Sequence, residues 1–160
     1  MSLRQTKGDI TIAGSGIILH ECSLQNTMEV GLAKTLYETW PEVKQDYHMA
    51  FIEVYPSDVP PRLGQVQFVK INSNLVVANG FTQDSSDNKK TLTTSEAIEK
   101  CINTCAGRLM MDDTPAEQKK LHLPQIGCGL GGLSWKNDVL PIIKASVKKY
   151  PQVTFVIWEI

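Results

Sequence analysis

Leu121 to Trp135 reads LHLPQIGCGLGGLSW, and the reading of this stretch decides the fold. Leu121 to Ile126 is a short apolar run of strand character. It opens into Gly127, Gly129, Gly131 and Gly132 and closes on Ser134, a residue type suited to capping a helix N-terminus. Strand, glycine loop and helix start, in that order, build an anion site. Glycines let backbone N–H groups approach a phosphate, and the helix dipole favours negative charge there. Gly127, Gly129 and Gly132 also fit the spacing G-x-G-x-x-G. A dinucleotide fold would ask for a carboxylate about 20 residues further on, and the segment from Tyr150 to Val153 has none. No Lys-Ser or Lys-Thr follows the glycines, so this is not a P-loop. A glycine-rich turn without a ligand is the plain alternative.

The chain has 160 residues, enough for one domain, 1–160, with a substantial core. Hydrophobic residues make up 42% and charged residues 21%, as in ordinary globular proteins. With a net charge of −1, nothing marks a general nucleic-acid binder or a membrane-surface protein. No stretch approaches the ~20 apolar residues of a membrane span. The N-terminal MSLRQTK lacks the apolar core of a secretion signal, so a cytoplasmic protein with reduced thiols is expected. The four cysteines form no C-x-x-C pair, and the three histidines have no metal-ligand spacing with them. No metal and no cofactor is expected.

Outward from the glycine loop, strands alternate with helices. Strands are expected at Leu3 to Lys7, Ile17 to His20, Gln65 to Ile71, Leu75 to Ala78 and Val153 to Trp158. Helical spacing runs from Met28 to Trp40, where Pro41 stops it, and again from Pro41 to Glu53. The segment Tyr55 to Leu63 reads as a loop, and so does the polar segment Gly80 to Lys90. Thr93-x-x-Glu96 looks like a capping box opening a helix to Met111, with Ala97, Ile98, Cys101, Ile102, Cys105 and Leu109 inward. A last helix runs from Trp135 to Tyr150. This order implies an α/β three-layer sandwich with a mixed, largely parallel central sheet of about six strands flanked by helices. Ligands in such sheets sit at the carboxyl ends of the strands, where the glycine loop falls.

Several groups of residues together resemble the macro domain family, which binds ADP-ribose. They are Gly8-Asp9-Ile10, then HECS from His20 to Ser23, MEVGLA from Met28 to Ala33, PQIGCGLGGLSW from Pro124 to Trp135, and FVIW from Phe155 to Trp158. They fall in family order across nearly the whole chain. The branch most resembled holds the ADP-ribose 1''-phosphate phosphatases and terminal ADP-ribose glycohydrolases. The resemblance implies that Asp9 and the backbone of Ile10 receive adenine, and that Trp158 stacks on it. It assigns Ser23, Val30, Gly31 and Leu32 to the distal ribose and diphosphate. Gly127, Cys128, Gly129, Leu130, Gly131, Gly132 and Leu133 would cradle the diphosphate. ADP-ribose or its 1''-phosphate is then the ligand, with ADP-ribosylated proteins as a further class of partner.

The residues also carry plainer readings. Asp9 suits a turn, Trp158 a core, and Met28 and Leu32 suit packing. Two departures stand against the glycohydrolase branch. Gly131 occupies its aspartate position, and Asn79 to Gln83 stand where it has a lysine, with Lys89 and Lys90 further along the loop. Glu29 replaces a family glycine, so it must point outward or weaken a diphosphate. For catalysis, the phosphatase resemblance points to His20 as general acid or phosphate binder and Asp84 as base or nucleophile, with Asp87 in reserve. A buried strand-end histidine and a solvated loop aspartate are the plainer alternatives. The reading therefore ranks a phosphatase first, a non-catalytic ADP-ribose binder second and a protein-directed hydrolase third.

Overall fold

The computed structural model describes residues 2–29, 31–52, 60–84, 92–128 and 132–160. Val30, Asp87, Lys89, Lys90, Gly129, Leu130 and Gly131 lie outside them, as does most of the Tyr55 to Leu63 loop. The strands are β1 (Leu3–Lys7), β2 (Gly16–Ser23), β3 (Val66–Lys70), β4 (Leu75–Asp84), β5 (Leu92–Thr93), β6 (Lys120–Leu123) and β7 (Thr154–Glu159). The helices are α1 (Gly31–Thr39), α2 (Glu42–Met49), α3 (Ser95–Met111) and α4 (Leu140–Lys149). The sheet runs in the order β1-β7-β6-β2-β4-β3, with β5 pairing β4 off that path. β1, β7, β6, β2 and β4 are mutually parallel, and β3 and β5 are antiparallel to β4. The expected three-layer sandwich with a mixed, mostly parallel sheet is what forms.

β2 shows why helices cover both faces. Side chains alternate along a strand, so a strand buried on both sides must be apolar throughout. Ile17 and Leu19 pack on one side against Ile98, Ile102 and Ile143 of α3 and α4. Ile18 and Cys22 pack on the other against Leu36, Val43 and Tyr47 of α1 and α2. The inward set read from helical spacing in α3 is buried in full.

Four local expectations need correction. β4 does not stop at Ala78. It continues to Asp84, with Phe81 and Thr82 buried, because β2 and β3 pair with Gly80 and β5 pairs with Gln83 and Asp84. Partners distant in sequence thus satisfy a backbone whose polar composition reads as loop. β6 ends at Leu123 and not at Ile126, since Pro124 has no N–H for a ladder. The cap of α3 is Thr94, whose side chain accepts from Ala97 N at 3.1 Å; Thr93 is engaged in β5. The last helix begins as a wide π-type turn, Trp135–Val139, before α4. Pro141 in the next turn cannot donate, which removes the α-type partner of the Asn137 carbonyl.

Ile102 is fully buried in the layer between sheet and α3. Ile102→Ala is expected to lower unfolding free energy by about 2–5 kcal/mol, read from the midpoint of urea unfolding at constant m-value.

Candidate functional site

Because β1, β6, β2 and β4 run parallel, the loops that follow them emerge at one edge of the sheet. β1 leads to Asp9 and Ile10, β2 to Ser23 and the start of α1, and β6 to the glycine loop. β1 and β2 are three strand positions apart, about 14 Å at the usual spacing, and β6 lies between them. The three sequence-assigned ligand segments therefore emerge at the carboxyl ends of the sheet, the edge at which α/β sheets bind ligands.

Each loop is braced from within. The Asp9 carboxylate accepts from Thr11 N at 2.9 Å and from Thr11 Oγ1 at 2.7 Å, closing a turn of 3₁₀ helix over Ile10–Ile12. The Thr11 hydroxyl and then the Thr11 N–H hold the exposed Asp9 carboxyl below the usual carboxylate range. Ile10 itself is buried. In the second loop the Tyr47 hydroxyl donates to Ser23 O at 2.7 Å, and Ser23 Oγ lies 3.1 Å from Thr27 Oγ1. Met28 is buried, Leu32 packs against the same cluster, and Glu29 points outward into solvent. Gly31, at φ +66, starts α1 in the left-handed region that only glycine enters without strain.

The glycine loop is closed at its base by Leu133 N, which donates to Gly127 O at 2.9 Å. The Leu133 amide, assigned to the diphosphate by sequence, is therefore engaged internally. Gly127 has φ +83, and a Cβ there would stand 2.6 Å from Ile98 Cδ1, so both backbone conformation and space demand glycine. Cys128 is half-buried, its thiol pushed up first by burial and then by the charges of Glu21 and Asp138. Ser134 caps the following turn as expected: Ser134 Oγ accepts from Asn137 N at 3.1 Å, and Asp138 Oδ2 accepts from Ser134 N at 2.7 Å.

The candidate catalytic pair is not brought together. His20 is 1% exposed and sits opposite Asn79 in the β2–β4 register. Asn79 Nδ2 donates to Val43 O at 3.2 Å and to Gln67 Oε1 at 2.9 Å, which leaves its oxygen to accept from His20 Nε2. His20 Nδ1 is then an unprotonated, buried nitrogen without a partner among the described residues. Charging the ring would demand an acceptor there, and burial pushes His20 down to about 4 against the opposing pull of Asn79. Asp84 lies five residues beyond Asn79 on β4, about 16 Å of strand rise, where its Oδ1 accepts from Gln25 Nε2 at 2.9 Å. Trp158, assigned to adenine, is 7% exposed, and its indole N–H donates to His122 Nδ1 at 3.0 Å.

One residue of the site escaped the sequence. Glu21 turns its carboxylate under the glycine loop, accepting from Gly127 N at 3.0 Å and from the Thr82 hydroxyl at 2.9 Å. The available signal was a carboxylate two residues after the apolar run Ile17 to Leu19.

No family model matches the chain, and no curated protein matches it. Solved structures do. A macrodomain protein from Streptomyces coelicolor aligns over 99% of both chains at 24% identity and TM-score 0.72. The macrodomain of Mycobacterium tuberculosis DarG covers 99% of this chain and 97% of its own at 18% identity and TM-score 0.77. Thermosipho africanus DarTG in complex with ADP-ribose covers 97% of this chain and 41% of its own at 17% identity and TM-score 0.69. The chain has the macrodomain fold.

His20 generates a pH dependence. A histidine in the unfolded chain takes up its proton near pH 6.5, whereas the folded one waits until about 4. Stability should therefore be complete above about pH 6.5 and fall by roughly 3 kcal/mol at most towards pH 4, because the unfolded state binds the proton first. Urea unfolding across that range should show the slope in the wild type and a much shallower one in His20→Asn.

Proposed function

We propose that this protein binds ADP-ribose in the crevice at the carboxyl end of its sheet. The observation that carries this reading is the alignment of three loops after β1, β6 and β2, the middle one rich in glycine and followed by a side-chain-capped helix start. Their order suits the ligand. Asp9 and Ile10 would take the adenine end, the loop from Gly127 the diphosphate, and Ser23 with the start of α1 the distal ribose. Backbone N–H groups and helix N-termini neutralise a diphosphate without a basic surface, which fits a chain of net charge −1. The outward-pointing Glu29 leaves the loop after β2 free of the repulsion its sequence position threatened. The Thermosipho africanus protein, which has the same fold, is in complex with ADP-ribose, and this supports the reading.

Hydrolysis of the phosphate monoester of ADP-ribose 1''-phosphate is the second reading. Asp84 favours it, because it stands at the carboxyl end of β4 beside Gln25 of the loop after β2, a place from which a carboxylate can orient water. His20 counts against it. A neutral ring bonded to Asn79 and far along the sheet from Asp84 has no proton to give a leaving group at ordinary pH. Binding therefore ranks ahead of turnover here. The protein-directed hydrolase ranks last, since the stretch Asn79 to Gln83 that stands for its lysine has none, and Asn79 is occupied by His20, Val43 and Gln67.

Phosphorus NMR of the protein with ADP-ribose 1''-phosphate separates the two readings. The expected result is shifted, broadened substrate signals with no growth of inorganic phosphate over hours. Phosphate release that Asp84→Ala abolishes would establish the phosphatase. Absence of calorimetric binding at millimolar ADP-ribose would remove both readings.

A further inference from the structure

Glu21 and its neighbour His20 leave β2 on opposite faces, as alternation requires. On its face, Glu21 joins three elements distant in sequence: its own strand, the Thr82 hydroxyl of β4, and the backbone N–H of Gly127. Gly127 is the root of the glycine loop, with a left-handed φ of +83 that glycine suits. The carboxylate thereby spends one backbone donor of an anion loop on an internal anion. No lysine or arginine pairs with it among the described residues.

Among the described residues, no positive group acts on its carboxyl. Cys22 on β2, Cys101 of α3 and Cys128 of the loop all feel the Glu21 charge, which pushes their thiols up alongside burial. Cys105 lies beyond Cys101, Asp138 acts on Cys128 from the far side of the loop, and Asp84 ends β4. Arg108 on α3 lies over the Phe68 ring at 4.2 Å, and the His20 ring is neutral on the other face. Burial pushes the Glu21 carboxyl up, against the opposing pull of its bonds to Gly127 and Thr82.

We propose that Glu21 is a positioning residue that links anion binding on the glycine loop to proton uptake, the loop holding a diphosphate most tightly when Glu21 is protonated. This rests on the assignment of the loop to a diphosphate. A neutral Glu21 keeps both contacts: its carbonyl oxygen accepts from Gly127, and its O–H turns to the Thr82 oxygen. The loop geometry survives while the like charge disappears. At the effective dielectric of a protein surface, two like charges about 10 Å apart oppose each other strongly enough for about a tenfold change in affinity. The bound anion raises Glu21 further, so binding takes up a proton. Affinity is highest on the acid side, falls as pH rises between the free and bound values, and is flat above both.

Titration calorimetry with ADP-ribose between about pH 5 and about pH 8, in two buffers of different ionisation enthalpy, tests this. The wild type should lose about tenfold in affinity across the range, with measurable proton uptake in the falling part. Glu21→Gln keeps an oxygen for Gly127 and a polar partner for Thr82, so it should bind with the high affinity at every pH and take up no proton. Glu21→Ala, which removes the clamp as well, should bind weakly at every pH. Equal pH profiles in wild type and Glu21→Gln, or wild-type binding without proton uptake, would overturn the linkage while leaving ADP-ribose binding intact. No wild-type binding at any pH would overturn the loop assignment and the linkage together. Wild-type measurements alone give the proton count should a variant fail to fold.

Discussion

β2 is paired on both sides and covered on both faces, and much of the molecule is arranged to satisfy what that burial demands. Ile17, Ile18 and Leu19 meet the demand by being apolar. His20 and Glu21, the next two residues, do not. A buried polar group left without partners costs about 1–3 kcal/mol, so each has a dedicated set. His20 has Asn79, which also reaches Val43 of α2 and Gln67 of β3. Glu21 has Thr82 and Gly127. One set ties a helical layer to the sheet, and the other ties the ligand loop to it.

The crevice follows from parallel pairing. Parallel strands deliver their carboxyl ends to one edge, and β1, β2 and β6 each lead there into a loop or a helix start. An edge of that kind suits anions with few cations, because N–H groups and helix dipoles favour negative charge. The unusual feature is a carboxylate beneath the glycine loop. It braces the loop root by hydrogen bonding and carries a charge that would oppose any anion placed there, two effects that separate only when the proton is added.

Legibility tracked the range of the interactions. The inward face of α3 was readable because helical periodicity is local, and Cys101, Ile102, Cys105 and Leu109 fall where the spacing puts them. Ser134 was readable as a cap for the same reason. The second half of β4 was not, because Gly80 to Asp84 owe their strand conformation to pairing with β2, β3 and β5. Thr93 and Thr94 are equivalent on composition, and only the pairing of Thr93 with Gln83 hands the cap to Thr94. His20 was legible as a strand-end histidine, but the Asn79 bond that keeps its ring neutral belongs to a strand far along the chain.

The sequence by itself determined the α/β order and the strand–glycine–helix order of the loop after β6, because turn chemistry, capping and hydrophobic period act over a few residues. Only the tertiary structure decided that His20 is sealed and neutral, that Asp84 stands apart from it, and that Glu21 reaches under Gly127. Those outcomes depend on which strands lie side by side and in which register, and strand pairing joins residues that no local pattern relates.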